Sequence, residues 1–343
     1  MSQTLASRLR YHWRWLGVFA AALILLAALS VASVGQRWEA GAVLVYLPPL
    51  FGPLGLIAIA VIDLYLGNRI RSCSLLFLAL FLAGPCLRWR SHAAPYFPTR
   101  GQDRVLRTLT INRGQNYAHS LVDFTLGKEL DLAALQDSLG PQAYAAKAPE
   151  WKGLPNVSRL GEFVLLSKHI ITLTEVVSLT VRRKDGLVKS RVPAVRCIID
   201  LKGQPVVVYN IHLPSPREAL TGKDPRLQEE RETFWFLHTA LTEALIQRIE
   251  SETLPVIALG DWNLPPLGPQ YRRITQRLQD AHAQAGVGYG FTAPGDVQYW
   301  LAFRNPWLRL DYALASRHFR ISLCQTEPPS PSQHAAIYTE FRW

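Results

Sequence analysis

Seven side chains of this sequence are of types that do hydrolytic chemistry: Asn112, Asp137, His212, Asp261, Asn263, Asp311 and His334. Each falls within or close to the end of a stretch patterned as a strand, and strand ends are where α/β folds commonly place their sites. Together they offer hard oxygen donors and two imidazoles, with no thiolate nearby. Such donors suit Mg²⁺ or Mn²⁺ rather than zinc. A hard cation with few protein ligands keeps waters and takes up a phosphate oxygen, so the chemistry this set favours is phosphoester hydrolysis. Taken singly, each residue has an ordinary reading as a capped turn, a surface histidine or a solvated carboxylate. The weight lies in their order.

The segment that organises the rest is Leu254–Pro266, LPVIALGDWNLPP. An apolar run from Pro255 to Leu259 closed by Gly260, Asp261, Trp262 and Asn263 reads as a buried strand ending in a turn. Asp261 and Asn263 are two apart, so in extended chain their side chains share a face. Pro265 and Pro266 stop the strand.

Other elements must bring the remaining residues to the same place. Val105–Asn112 alternates apolar and polar residues and is predicted as a strand. Tyr117–Leu130 reads as a helix and Asp131–Gln136 as a strand that hands over Asp137. Phe163–Leu166 is a short strand. Ala194–Leu201 and Val206–Ile211 flank Lys202-Gly203-Gln204 and read as a hairpin leading to His212. Leu227–Ile249 has helical spacing. Leu308–Ala315 is a strand carrying Asp311, and Ser332-Gln333-His334 precedes a last strand, Ala336–Phe341. Strands and helices mix without strict alternation, which predicts an α/β fold, a layered sandwich of mixed sheets.

The N-terminal third has a different character. The formal charge of +11 is unevenly placed: residues 1–94 hold eight Arg, no Lys, and only Glu39 and Asp63 as acids. Three apolar runs, 16–34, 42–62 and 72–87, predict about three transmembrane helices, the first close to the ~20 residues a bilayer core requires. A signal peptide competes for the first run, but the second and third runs argue for an anchor. Pro48, Pro49 and Pro53 would bend the second run or make it re-entrant. Asp63, at its end, reads as a polar anchor reaching the interface. Arg8, Arg10 and Arg14 favour an inside N-terminus, and Arg69 with Arg71 an inside second loop. Three spans then put the C-terminal part of the chain on the non-cytoplasmic side of a cell (inner) membrane, against the vote of Arg88, Arg90 and Arg100; two spans would leave it inside. The expected organisation is an anchor over 1–94, a linker over 95–103 with Pro95 and Pro98, and one soluble domain over 104–343.

That domain is only mildly basic, which does not demand a nucleic acid partner. Cys73, Cys86, Cys197 and Cys324 match no zinc or CxxC spacing. The first two lie in apolar runs and read as buried packing residues; pairing of the other two is left open.

The ordered segments TINRG, LQDS, NIHL, GDWNLPP, LDYALAS and SQHAAI resemble the endonuclease/exonuclease/phosphatase superfamily over residues 104–343, with GD-aromatic-N followed by Pro the most specific piece. The resemblance implies a four-layer α/β sandwich with two mixed sheets and a Mg²⁺-dependent (or Mn²⁺-dependent) phosphoesterase. It implies that Asn112, Asp137 and Gln333 belong to the metal end and that His212 binds the scissile phosphate. It further implies that Asp261 activates the attacking water with Asn263 beside it, and that Asp311 fixes His334, which contacts the phosphate and moves a proton. Two positions depart from the family pattern. Asp137 stands where Glu is usual, one methylene shorter, and Gln333 stands where Asp is usual, one negative charge fewer. The expected substrate is a nucleic acid or a phospholipid head group carrying a phosphodiester or phosphomonoester, with no organic cofactor; the competing reading is a catalytically degenerate phosphate- or lipid-binding module. Trp300, Phe303 and Trp307 either line a substrate loop or pack beneath it.

Overall fold

The computed structural model describes residues 5–33, 39–90, 104–114, 120–138, 149–182, 188–216, 219–220, 228–294, 305–328 and 333–343. The expected linker 95–103, Trp300, Phe303 and Ser332 lie outside the described residues. The chain divides into two units: Met1–Trp89 with Leu267–Pro269, and Arg90–Pro266 with Gln270–Trp343.

The first unit is helical: α1 Leu5–Ser33, α2 Glu39–Val45, α3 Phe51–Tyr65 and α4 Arg69–Phe81, the last continuing into a π-helical turn, Leu82–Cys86. By length and composition, Tyr11–Ser33 (23 residues) and Arg69–Cys86 (18 residues) are able to cross a membrane, whereas the apolar Phe51–Tyr65 is shorter. The run 42–62 is not one helix. The chain leaves helical geometry around Pro48 and Pro49, which lack the N–H that a helix interior needs, while Pro53 is tolerated in the first turn of α3. Asp63 is buried, ion-paired with Arg71, and accepts from Trp13 Nε1 at 3.0 Å. A buried carboxylate requires such partners, and these tie α1 and α4 to α3. Cys73 and Cys86, expected as buried packing residues, are exposed, on faces of α4 and its turn that the helical core does not use.

The second unit holds two six-stranded mixed sheets. The first contains β1 Val105–Asn112, β2 Leu132–Gln136, β3 Asn156–Leu160, β4 Phe163–Ser167, β11 Arg320–Thr326 and β12 Ile337–Arg342, in the order β11-β12-β1-β2-β4-β3. The second contains β5 Ile171–Arg182, β6 Val188–Leu201, β7 Gln204–His212, β8 Val256–Asp261, β9 Gln279–Asp280 and β10 Asp311–Ala315, in the order β5-β6-β7-β8-β10-β9. Among the described strands only β1/β2 and β7/β8 run parallel. β2, β4, β8 and β10 are buried along their whole length, as strands covered on both faces must be, and their sequences are correspondingly near-continuous apolar runs.

The cores define the layers. Leu106, Leu132, Leu165, Ile199, Val208 and Ile257 pack between the sheets. Behind the second sheet, α6 (Gln228–Glu250) and α7 (Gly268–Arg277) cover Tyr209, Trp262 and Tyr312. Behind the first, Leu109, Ile111, Leu135 and Trp151 form a smaller core that takes in Phe124 of α5 (Val122–Thr125). A last short helix, α8 (Ala281–Ala285), comes after β9 and is capped by the Asp280 carboxylate.

The long helix expected at 227–249 is α6 almost to the residue. Of the helix expected over 117–130, the described residues 120–130 give only the single turn of α5, and Gly127, at φ 73, turns the chain out of helical geometry. The β6/β7 hairpin closes through Lys202 (φ 57) and Gly203 (φ 88), the two left-handed residues a twisted two-residue turn needs.

Candidate active site

Strand register assembles half of the site. His212 pairs with Asp261 across the parallel β7/β8 ladder, and Asp311 pairs with Asp261 across the antiparallel β8/β10 ladder. Side chains opposite one another in a sheet project from the same face, so these three form a row at one end of the second sheet. β1 ends in Asn112 on the first sheet, and Asn112 Nδ2 donates to Asp261 Oδ2 at 2.9 Å.

Asp261 is the hub, with 1% of its surface exposed. Its Oδ1 accepts from the Asn263 backbone N–H at 2.7 Å, and its Oδ2 accepts from Asn263 Nδ2 at 3.0 Å. Asn263 adopts φ 45, which Asn tolerates better than most residues, and its amide also donates to Leu213 O at 2.8 Å. His212 Nε2 and His334 Nε2 stand 3.9 and 3.8 Å from Asp261 Oδ2. The far nitrogen of each ring is held by another carboxylate: His212 Nδ1 by Glu162 at 3.0 Å, His334 Nδ1 by Asp311 at 2.8 Å. A carboxylate on Nδ1 fixes that nitrogen as the donor and leaves Nε2 turned to the cleft.

The electrostatics follow from this crowding. Burial and the neighbouring Asp311 charge push the Asp261 carboxyl above the usual carboxylate range, against the pull of both imidazoles and the Asn112 hydrogen bond. Burial alone would lower His334, but the charges of Asp311 and Asp261, the Asp311 hydrogen bond and the Asp137 charge carry it up to about 9. His212 is raised in the same way: burial opposes, while Glu162, Asp261 and Asp137 prevail.

Asp137 comes after β2 at φ 50 and is half-buried. Its charge acts on both His212 and His334, so it lies near both imidazoles. Gln333 is half-buried and lies over Gly114: a Cβ at Gly114 would stand 3.1 Å from its Cβ, Cγ and Cδ. Asn112 Oδ1 accepts from Gly114 N at 2.9 Å, leaving that carbonyl one further lone pair. Hard oxygen donors are therefore concentrated here. Ligand atoms of Asp261, Asp311 and His334 also lie within 4.8 Å of one another, and Asp311 Oδ1 is buried with no hydrogen-bond partner among the described residues. An orphaned carboxylate oxygen in a pocket of this composition fits a divalent cation or its water.

Three residues not singled out from the sequence support the arrangement. Glu162 sits in the two-residue β3/β4 turn, where Gly161 at φ 60 supplies the bend; the only sequence signal is a Gly before an acid between two short strands. Gln136 and Asn210 form a buried bridge between the sheets, with Gln136 Nε2 donating to Asn210 Oδ1 at 2.6 Å and Asn210 Nδ2 to Leu135 O and Val164 O, both at 3.0 Å. Asn210 is two residues from His212 and Gln136 one from Asp137, so this bridge sets the separation of the strands that deliver them. Trp307, the one described member of the aromatic trio, is half-buried.

Fold and site define an α/β class in which paired mixed sheets present carboxylates, amides and two carboxylate-held imidazoles at one end. The sequence profile of the Endonuclease/Exonuclease/phosphatase family matches residues 129–334, more than half of the chain, and the chain belongs to that family. Members of the family are generally hydrolases of phosphoester bonds and divalent-metal dependent. A search of curated proteins finds no match. Among solved structures, a family protein from Leptotrichia buccalis is similar at 16% identity and TM-score 0.47, covering 69% of this chain and 100% of that one. The 3′ phosphatase NExo from Neisseria, bound to a product DNA hairpin, aligns at 17% identity and TM-score 0.47, covering 69% and 100%. Sphingomyelinase C from Streptomyces griseocarneus aligns at 15% identity and TM-score 0.41, covering 69% and 99%.

Proposed function

We propose that this chain is a membrane-anchored, divalent-metal-dependent phosphoesterase that cleaves a phosphodiester or phosphomonoester by attack of water. The observation that carries the reading is the convergence of Asn112, Asn263, His212 and His334 on Asp261 Oδ2. In this reading Asp261 orients the attacking water and takes its proton; a carboxyl raised by burial is a better base for that purpose than an exposed one. Asn263 and Asn112 hold the carboxylate in one rotamer. The two imidazoles, both raised by the carboxylates around them, bind the phosphate oxygens, and His334, held protonated up to about 9, gives a proton to the leaving oxygen. Asn112, Asp137 and Gln333 would hold the metal, which when bound supplies Lewis-acid neutralisation of the phosphate charge.

Apolar helices preceding the hydrolase unit support the anchor, and an anchored site meets a phospholipid head group or a nucleic acid at a membrane surface. The test is turnover of a panel of nucleic acid and phospholipid substrates by the full chain in detergent, with Mg²⁺ or Mn²⁺ and with chelator. Asp261→Asn should lower kcat by at least ~10²-fold, the range expected for an acid–base group. Near-normal turnover in that variant removes Asp261 from the mechanism. Absence of metal-dependent turnover in the parent, with phosphate or lipid binding retained, supports the degenerate binding module instead.

A further inference from the structure

Asp311 and His334 are 23 residues apart in sequence, and their 2.8 Å contact needs both backbones held still. Asp311 opens β10, while His334 lies in the segment before β12, in the other sheet. Thr292 reaches both. It is fully buried, and each of its polar groups is spent on a chain segment carrying the pair. Its Oγ1 accepts from the backbone N–H of Leu310 at 3.1 Å and of Asp311 at 3.2 Å. Its carbonyl accepts from Ala335 N, next to His334, at 2.8 Å. Its own N–H donates to Leu308 O at 2.7 Å, closing the loop onto the approach to β10.

We propose that Thr292 is the positioning residue of the Asp311–His334 pair, acting through the backbone of both partners and touching neither the substrate nor the imidazole. Two buried N–H groups aimed at one oxygen have no other acceptor if it is removed, and an unmet buried donor costs enough to move the strand end. A shift of about 1 Å at that end breaks the contact that orients His334. The opposite side of the same strand is already fixed. Arg309 is buried against Asp280, with NH2 2.8 Å from Oδ2, and Tyr312 Oη donates to Leu264 O at 2.6 Å in the Asn263 loop. With those ties in place, Thr292 is what sets the remaining freedom of Asp311 relative to His334.

This inference rests on the phosphoesterase reading for its kinetic consequence. Thr292→Val keeps the shape and removes the acceptor; Thr292→Ser keeps the acceptor. With bis(4-nitrophenyl) phosphate and Mn²⁺, Thr292→Val should lower kcat by about tenfold or more with KM within about twofold, because the pair acts in the transition state rather than in binding. Thr292→Ser should return kcat to within about threefold of the parent. Loss shared equally by both variants, loss confined to KM, or no loss in Thr292→Val overturns the proposal. If the parent turns over no phosphoester, the functional reading fails on its own, and crystal structures decide about Thr292. An Asp311–His334 contact kept in Thr292→Ser and opened beyond about 3.5 Å in Thr292→Val supports it, and a contact intact in both overturns it. Should Thr292→Val not fold, Thr292→Ala, which removes the same acceptor without adding a methyl in its place, carries the same readings.

Discussion

Asp261 Oδ2 takes hydrogen bonds from two amides while two imidazole Nε2 atoms wait at 3.9 and 3.8 Å, so the residue-scale question is where the protons are. Burial acts against charge on His334, yet the surrounding carboxylates win and hold it protonated up to about 9. Its folded-state value lies above the unfolded one of roughly 6.5. The stability it contributes is therefore complete below about 6.5 and is lost as pH rises through about 9. In metal-free protein, the excess melting temperature of the parent over His334→Gln should shrink across that window; an excess that grows with pH rejects this protonation state. Gln333 is a second residue-scale case. If it borders the cation, Gln333→Asp places a negative charge there, and the half-saturating Mg²⁺ concentration should fall by on the order of tenfold. An unchanged Mg²⁺ titration puts Gln333 away from the metal. Asp137 shows what sequence hides. Its shortness relative to the family's Glu was legible, but its left-handed φ of 50 was not, and Asp is tolerated in that region where longer side chains are disfavoured. Asp137→Glu therefore gains reach at a backbone cost.

Elements deliver these residues by register, and register depends on one close approach. Gly260 has φ 132, and a Cβ there would meet Ile211 O at 2.1 Å and Ile211 N at 2.8 Å. Ile211 and Gly260 are partners in the β7/β8 ladder, one step before His212 and Asp261. Gly260→Ala should thus cost at least the roughly 1–3 kcal/mol of an overpacked core, read as a lowered urea midpoint, and should impair the site as well. Gly153→Ala is the contrast, since Gly153 has φ 95 but nothing within 4 Å of its added Cβ, so strain acts there without a clash. Equal loss in the two variants places the effect in backbone strain alone. The strands ending in Gln136, His212, Asp261 and Ala315 were legible because burial leaves apolar runs, and the one ending in Asn112 because its apolar and polar residues alternate. The helix expected at 117–130 was not realised, because local helical pattern has no force once Gly127 redirects the chain. Glu162 escaped notice for a related reason: its importance comes from which histidine its turn faces, a fact of tertiary structure.

At the scale of the whole molecule, the charge map and the helices set up a test of whether the helical unit crosses a membrane. Two helices have the length to cross and a third apolar one is shorter. If all three cross with Arg8, Arg10 and Arg14 inside, a phosphatase or fluorescent reporter fused after Trp343 reads the non-cytoplasmic side. A cytoplasmic reading means that one run does not cross, and the segment broken at Pro48 and Pro49 is then the one that fails.

The first sheet also carries a consequence for the order of events during synthesis. Val105 at the start of β1 pairs with Arg342 at the end of β12, and Thr110 with Ile337. The strand that begins the hydrolase unit therefore waits through some two hundred residues of translation for its neighbour, and His334 arrives with that late segment. A ribosome-bound chain that has already emitted Asn112, His212 and Asp261 still holds an unfinished cleft. In such an arrangement the site closes only after β12 has emerged, by which time the N-terminal helices, made first, are long clear of the ribosome.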